Sequence, residues 1–359
     1  MANTMPKISI AFRAQAETLA VRSARGSVAV ILCDAIAASE EKHYELRSAA
    51  DIPSGLAAAN KTYLQQAFAG CSDGRVTRVL VYVLAATASD FTTAYAWLAT
   101  QTFDWLVLPP TATNTQAAAC KTWIDAQRSE NSAVFKAVLP NSAADDSAIV
   151  NFITAGIEVG STTYNAAQYC ARIAGILAAT PVTRSVTYTP LPEVENVERL
   201  TPTAMDTAVG AGKLLAFWDG QQVRLGTGVN SMTTVAAGQT EDMKKILIME
   251  CRDLMQDDLR RLCSAYIGQI KNTFDGRLTV LTAVRTYLET LETMTVVSSG
   301  WNAVLDVDAT RDYLTAAGID VSEMSDEEVV AYDYGTSMFI RIDAKLLDAI
   351  ENITITVNC

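Results

Sequence analysis

The first half of the chain alternates short apolar runs with longer segments of helical periodicity, and this alternation limits the possible folds more than any other feature. Val28–Cys33 and Arg78–Leu84 are rich in Val and Leu and almost free of polar residues, as is typical of strands covered on both faces. Further strands are predicted at Trp105–Leu108, Val134–Leu139 and Ile157–Val159. Strands that alternate with helices indicate a layered α/β domain with a largely parallel sheet.

The helices of this alternation are predicted from apolar residues spaced three and four apart. The predicted segments are Leu56–Phe68, Asp90–Thr100, Thr115–Ser129, Asp145–Phe152 and Asn165–Ala179. We expect Asp90 to cap the second of these helices and Pro181 to follow the end of the last.

The second half of the chain has a different texture. Leu214–Trp218, an Asp-Gly pair and Gln222–Leu225 predict a β-hairpin. Thr240–Ile270 carries the longest helical stripe in the chain. A turn at Asp275-Gly276 is then expected before a second amphipathic helix, and strands are predicted at Asn302–Val307 and Met338–Ile342. The fold class predicted is mixed α/β and α+β, with a layered α/β domain followed by a C-terminal α+β domain.

Charge and cysteine usage exclude several classes of partner. The formal net charge is −12, and an acidic surface repels phosphate, which argues against nucleic acid and anionic membranes. The seven cysteines are scattered, odd in number and without a CxxC pair, a pattern typical of reduced thiols. The opening MANTMPKISI lacks the apolar run of a signal peptide, so we expect a protein made in the cytoplasm and not inserted in a membrane.

Catalytic and cofactor-binding residues are not predicted. The single histidine, His43, lies in a charged stretch and is interpreted as a surface residue, which leaves no imidazole base for a nucleophilic triad. No Cys and His residues cluster at zinc-ligand spacing. Gly210–Lys213 and Gly226–Gly228 match phosphate-binding loops only in part, and both are interpreted as turns. We therefore expect no catalytic site, no cofactor and no metal.

The carboxylate pairs are interpreted as structural. Asp326, Glu327 and Glu328 follow Ser325 and predict the acidic first turn of a helix that Ser325 caps. Asp257-Asp258 beside Arg260-Arg261 is typical of ion pairing on a helix surface.

Both ends of the chain carry short alternating β-branched segments. Near the start, Ile8, Ile10 and Phe12 share one face of a predicted strand. Near the end, Ile353, Ile355 and Val357 alternate with threonine in ITITV. Such a strand can pair with the sheet of its own domain, which the pattern alone favours, or it can add to an exposed sheet edge of a neighbouring molecule.

A series of motifs covers nearly the whole chain in a fixed order. The motifs are PKISIAF (Pro6–Phe12), FDWLVLPP (Phe103–Pro110), ARIAGILAATPVTRSVTYTPL (Ala171–Leu191), LLAFWDGQQVRLGTGVNSMTT (Leu214–Thr234), YIGQIKN (Tyr266–Asn272) and IRIDAKLLDAIENITITV (Ile340–Val357). In this order and spacing the chain resembles contractile bacteriophage tail sheath proteins, most closely the short sheath subunits of defective-prophage and R-type tailocin tails.

The resemblance implies a mechanical protein that acts without nucleotide. Its copies are expected to form stacked hexameric rings in a helical sheath around a tail tube, with baseplate and tail terminator proteins as further partners. Contraction of this sheath drives the tube through a target envelope. The protein is expected to be made in the bacterial cytoplasm and to be found in the phage tail or tailocin particle that lysis releases.

The resemblance also implies a division of the chain into four parts. They are an N-terminal arm (1–25), an outer α/β and β-hairpin region (26–238), a tube-facing α+β domain (239–351) and a C-terminal arm (352–359). Ile8, Ile10 and Phe12 are expected to anchor one arm in a neighbouring subunit, and Ile353, Ile355 and Val357 the other, so that the arms complete the sheet of adjacent C-terminal domains. The residues considered for tube contact are Arg260, Arg261, Asp326, Glu327 and Glu328.

Two other functions remain open from the sequence. A soluble α/β enzyme or nucleotide-binding protein agrees with the strand–helix alternation, which many functions share. A component of a type VI secretion sheath is the second, although that machine usually divides the sheath between two chains.

Overall fold

The computed structural model describes residues 26–333 and 335–357. They form two compact units. One, called here the α/β unit, contains residues 26–253 and 348–357; the other, the C-terminal unit, contains residues 254–347 apart from residue 334.

The α/β unit contains eleven strands and five complete α-helices among its described residues. The strands are β1 (Ser27–Asp34), β2 (Lys42–Leu46), β3 (Arg78–Ala85), β4 (Trp105–Val107), β5 (Lys136–Pro140), β6 (Ile149–Phe152), β7 (Ile157–Val159), β8 (Thr162–Tyr164), β9 (Lys213–Leu214), β10 (Ala216–Trp218) and β11 (Val223–Leu225). The helices are α1 (Ala58–Phe68), α2 (Thr92–Leu98), α3 (Asn114–Glu130), α4 (Ala166–Ala179) and α5 (Pro202–Gly210). A further helix, α6 (Ile246–Ser264), begins in this unit.

Seven of these strands form one sheet in the order β2-β3-β1-β4-β5-β6-β9. All neighbours in it run parallel except β2, which lies antiparallel to β3 at one edge. β10 and β11 form the predicted hairpin, and β7 pairs with β8 in a second small hairpin. The layered α/β fold predicted from the alternation is confirmed.

The sheet separates two hydrophobic cores, because successive strand residues point to opposite faces. In β1, Val28, Val30 and Leu32 belong to the core that includes residues of α1 and α4. Ala29 and Ile31 belong to the core that includes residues of α2 and α3. All five side chains are buried, which explains why β1 has no polar face in the sequence.

Helices α1 and α4 approach closely at Gly175. A Cβ atom at this position would lie 2.3 Å from the carbonyl oxygen of Ala67. Helix α4 begins where Asn165 accepts a hydrogen bond from the Gln168 amide at 3.0 Å, as expected of an N-cap asparagine. The helix is buried along almost its whole length, and the absence of a side chain at residue 175 lets it pack directly on the α1 backbone.

The helix predicted at Asp145–Phe152 is wrong. The chain turns at Asp145, which has a φ of 49°, and Ile149–Phe152 then forms β6 between β5 and β9. All four residues of β6 are buried. The polar residues before the strand look like a helix start, but the short apolar run that follows is covered on both faces.

The C-terminal unit is built around two long helices and a small sheet. Its elements are the second part of α6, α7 (Phe274–Thr293), β12 (Asn302–Leu305), α8 (Val307–Ala316), α9 (Asp326–Ala331) and β13 (Ile340–Asp343). β12 and β13 pair antiparallel, with Asn302 opposite Asp343 and Leu305 opposite Ile340. The described residues of this unit therefore have the mixed α+β character predicted.

The turn predicted at Asp275-Gly276 is wrong, because both residues lie in the first turn of α7. Thr273 caps this helix by accepting a hydrogen bond from the Gly276 amide at 3.2 Å. A Cβ at Gly276 would lie 2.3 Å from the carbonyl oxygen of Lys271, so close packing explains this glycine. The long stripe over Thr240–Ile270 is shorter as a helix, since a 3₁₀ turn at Glu241–Lys244 precedes α6.

Candidate assembly surfaces

The C-terminal segment exposes a row of large aliphatic side chains. Ile353, Ile355 and Val357 are 77%, 79% and 73% exposed. Residues 349–357 form neither helix nor strand and pair with no strand of the described chain. Aliphatic side chains at every second residue have the pattern of one face of a strand, and here that face is uncovered within the described chain. The N-terminal residues Ile8, Ile10 and Phe12 lie outside the described residues.

The small sheet of the C-terminal unit is the second incomplete feature. β12 and β13 are each four residues long, and among the described residues no third strand pairs with either. The pairing is extended beyond the strands, where Ser298 donates its amide to the Lys345 carbonyl at 2.9 Å and Leu347 to that of Val296 at 3.0 Å. A two-stranded sheet is at best marginally stable by itself and offers unpaired backbone groups along its edges.

The basic pair considered for tube contact lies on the exposed surface of α6. Arg260 and Arg261 are both exposed. Arg261 forms an ion pair with Asp257 at 2.6 Å, one turn earlier in the same helix, as the spacing predicts. Asp258 does not share this surface role, because it is buried and accepts a hydrogen bond from the Tyr287 hydroxyl at 3.3 Å.

The acidic residues considered for tube contact form the exposed first turn of α9. Ser325 caps this helix, and the Glu328 carboxylate accepts hydrogen bonds from the Ser325 amide and hydroxyl at 2.8 and 2.9 Å, which lower its pKa. Asp326 pairs with Arg311 at 2.8 Å. The predicted cap is therefore confirmed. Glu328 and Asp326 already have partners, while Glu327 has none assigned within the described chain and is exposed.

A buried charge cluster in the α/β unit escaped the sequence analysis. Asp253 is fully buried and accepts two hydrogen bonds from Arg128, at 2.7 and 3.0 Å. Lys136, 1% exposed, contacts Asp253 at 3.0 Å and Glu250 at 3.2 Å. These contacts fix the first turns of α6 to α3 and β5. Residues more than a hundred positions apart give no local signal of such a cluster.

The segment Gly228–Ser231, called here the Gly-Val-Asn-Ser motif, forms a second buried connection in this unit. The side chain of Asn230 donates to the Met243 carbonyl at 2.7 Å, and Ser231 donates its hydroxyl to the Asp146 carbonyl at 2.9 Å. Both side chains are almost fully buried. The hydrogen bonds of this motif therefore fix the chain that leads into α6, and we interpret its residues as structural.

The glycines that partly match phosphate loops have structural explanations. Gly212 has a φ of 68°, and a Cβ there would lie 2.9 Å from the Ser231 backbone. A Cβ at Gly228 would lie 2.7 Å from the Val186 side chain. His43 is exposed in β2 and stacks on Trp97 at a ring distance of 4.8 Å. Among the described residues, no group of three or more His, Cys, Asp or Glu side chains could hold a metal ion.

The comparison with family models identifies two consecutive matches. Residues 85–231 match the central domain of phage tail sheath proteins, and residues 238–359 match the phage tail sheath C-terminal domain. In the part of the chain that the structure describes, no helix has both the length and the apolar character needed to cross a membrane.

Individual relatives agree with these matches. The chain is 33% identical over 354 residues to the tail sheath protein of Clostridium phage phiCD119, which covers 98% of both chains. The structure is similar to a sheath tail protein of Listeria innocua, with a TM-score of 0.68 at 15% identity, covering 83% of this chain and 93% of that one. It is also similar to a chain of the contracted helical sheath of the anti-feeding prophage, with a TM-score of 0.66 at 13% identity and 93% coverage of both.

The family matches span most of the chain, and the phage relative spans nearly all of it. The family is structural, and none of these comparisons supports an enzyme or a nucleotide-binding protein. The resemblance seen in the ordered sequence motifs is confirmed. The chain belongs to the phage tail sheath protein family and is a structural sheath subunit, not an enzyme.

Proposed function

We propose that this subunit assembles as stacked hexameric rings in a helical sheath around a tail tube and contracts without nucleotide to drive the tube through a target envelope. The observation that carries the proposal is the exposed Ile353, Ile355 and Val357 row in a member of the sheath family. The family relationship and the similarity to a contracted sheath chain support it.

The inter-subunit link in this proposal is a shared β-sheet. The two-stranded sheet β12–β13 offers edges, and the C-terminal segment offers a strand with one aliphatic face, so each supplies what the other lacks. Backbone hydrogen bonds in a shared sheet persist while whole domains rotate, because rotation changes surface contacts and not the ladder. The N-terminal arm, with Ile8, Ile10 and Phe12, has the same role in the proposal.

The remaining parts of the proposal follow from this link. The tube-facing region is 239–351 and the outer region 26–238. The candidates for tube contact are Arg260, Arg261 and the acidic residues Asp326, Glu327 and Glu328. Among the acidic residues we favour Glu327, because it is exposed and the other two already pair within the subunit. Baseplate and tail terminator proteins are the other partners. The subunit is made in the bacterial cytoplasm, and lysis releases it in a phage tail or tailocin particle.

The test is to remove the aliphatic face of the arm and to measure assembly. The change is Ile353→Ser with Ile355→Ser, and the matched control is Thr354→Ser with Thr356→Ser, which alters the opposite face of the same strand. We expect the wild type and the control to form long tubes in negative-stain electron microscopy and the aliphatic variant to form none. Deletion of residues 352–359 should have the same effect. Normal tubes from the aliphatic variant or the deletion would contradict the shared-sheet link.

A further inference from the structure

The base of the C-terminal segment makes one specific polar contact with the α/β unit. Of residues 350–357, only Glu351 is largely covered, with a side chain 13% exposed, whereas Ile350 and Ile353 on either side are 85% and 77% exposed. The Glu351 carboxylate accepts a hydrogen bond from the Thr187 hydroxyl at 2.6 Å and pairs with the Lys245 ammonium group. The segment is therefore fixed at one residue between two exposed aliphatic neighbours.

The hydroxyl of Thr187 is committed to this contact. It accepts hydrogen bonds from the Gly228 amide at 2.9 Å and from the Ser185 hydroxyl at 2.8 Å. A hydroxyl has one proton to donate, and with both acceptor positions occupied that proton is directed at Glu351. An acceptor is therefore required opposite Thr187, and a carboxylate supplies one that also binds a cation.

Lys245 is held equally firmly. It precedes α6 directly, and its backbone forms a bridge with Val229. The next residue, Ile246, donates its amide to the Gly228 carbonyl at 2.9 Å. The two partners of Glu351 thus stand on the same Gly-Val-Asn-Ser segment, one through a side chain and one through the backbone, which makes the site for the carboxylate pre-organised.

We propose that Glu351 anchors the base of the C-terminal arm to the α/β unit, so that load on the arm enters that unit and the start of α6, and not the C-terminal unit that precedes the arm in the chain. The proposal rests on the inter-subunit role proposed for the arm. Leu347 still pairs with Val296 of the C-terminal unit, so the chain changes units over the few residues before Glu351. The anchor also fixes where residues 352–357 leave the subunit.

The first experiment detects the contact itself. Carbodiimide joins a carboxylate to an amine that it contacts, so it should join Glu351 to Lys245 in the dispersed full-length subunit, as mass spectrometry of the digested protein would show. Mixing ¹⁵N-labelled and unlabelled subunits separates links within one copy from links between copies. The half-buried Lys121–Asp125 pair at 2.5 Å serves as the internal positive control. A link within one copy supports the anchor; its absence beside a positive control, or a link only between copies, overturns it.

The second experiment tests the mechanical role with exchanged charges. Lys245→Glu and Glu351→Lys should each lower the assembled fraction about fivefold, the factor that corresponds to roughly 1 kcal/mol for a partly exposed ion pair. The double variant should restore both assembly and the cross-link. Lys244→Glu is the matched control, because the neighbouring Lys244 pairs with Glu241 and does not contact the arm. Single variants that assemble as well as this control, or a double variant as defective as the single ones, refute the anchor. Failure of the wild type to form tubes would instead contradict the proposed function.

Discussion

The two sheets of this subunit differ in how complete they are. In the α/β unit, seven strands lie between two cores, and the central strands β1, β3 and β4 have hardly an exposed residue. In the C-terminal unit, β12 and β13 stand alone among the described residues, and β13 alternates half-buried with exposed side chains. The first sheet is stabilised within the chain. The second consists of two short strands whose outer edges are unpaired among the described residues, so the two units differ in how far the chain itself completes their sheets.

The largest expected effect is in hydrogen exchange. In the dispersed subunit, amides of β12 and β13 should exchange about a thousandfold faster than those of β1 and β3, a difference of roughly 4 kcal/mol in opening free energy. Mass spectrometry of peptides from both sheets measures it. In assembled tubes the β12–β13 peptides should slow markedly, since new strands protect them. Equal protection of both sheets in the dispersed subunit contradicts the comparison.

The next effect concerns the buried charges of the α/β unit. Asp253→Ala removes the buried carboxylate that Lys136 and Arg128 share, leaves Lys136 only its contact with Glu250, and should lower the free energy of unfolding by about 3 kcal/mol. Denaturant titration of the full chain measures it. Asp257→Ala, on the same helix, removes only the more exposed pair with Arg261 and should cost at most about 0.5 kcal/mol. Similar losses from both variants would refute the assignment of a buried stabilising cluster.

A smaller effect is expected from the contact between α1 and α4. Gly175→Ala places a Cβ 2.3 Å from the Ala67 carbonyl oxygen and should destabilise the subunit by about 2 kcal/mol, because backbone has to move. Gly210→Ala is the control: this glycine ends α5, and a Cβ atom there would have no neighbouring atom within 4 Å. Thermal unfolding of both variants gives the comparison, and equal midpoints would show that the helices can separate at no cost.

The smallest effect is the titration of Asp219 in the β10–β11 hairpin. Its pKa is lowered to about 2 by hydrogen bonds from the Gln222 and Gln221 amides, both at 2.8 Å, and by Arg224. Because this pKa lies below the ordinary value, the ionised Asp219 stabilises the folded state above pH ~4. This stabilisation is lost as the pH falls through about 2. The amide shifts of Gln221 and Gln222 should therefore move in this window, and Asp219→Asn should abolish the transition. A midpoint near the ordinary pKa would contradict the assigned hydrogen bonds.

The sequence predicted the α/β sheet well because its strands are short, apolar and separated by periodic helices. It failed at Ile149–Phe152, where a four-residue buried run carries no period and the polar residues before it resemble a helix start. It also failed at Gly276. A glycine is needed there because a Cβ atom would collide with the Lys271 carbonyl oxygen, and composition does not reveal this close approach. Glycine within a helix and glycine in a turn look alike in one sequence.

The assembly surfaces were predictable in part for a related reason. The row of Ile353, Ile355 and Val357 is visible in the sequence because alternation is a local pattern. The contact of Glu351 with Thr187 and Lys245 was not visible in the sequence, because these residues come together only through the fold. Local patterns thus identify the alternating segment, whereas the residue that fixes its base depends on long-range contacts.

The buried position of Lys136 and Asp253 has a consequence for the environments in which a sheath can work. Dissolved ions weaken the interaction between charges that face water, with a screening length of about 8 Å at physiological ionic strength. They do not enter a site in which Lys136 and Asp253 are only 0 to 1% exposed. The ion pairs that join Lys136 of β5 to the first turns of α6 should therefore have the same strength at low and at high salt concentration. More exposed pairs such as Arg261–Asp257 weaken with salinity, so the buried cluster and the surface ion pairs of this subunit respond differently to salt.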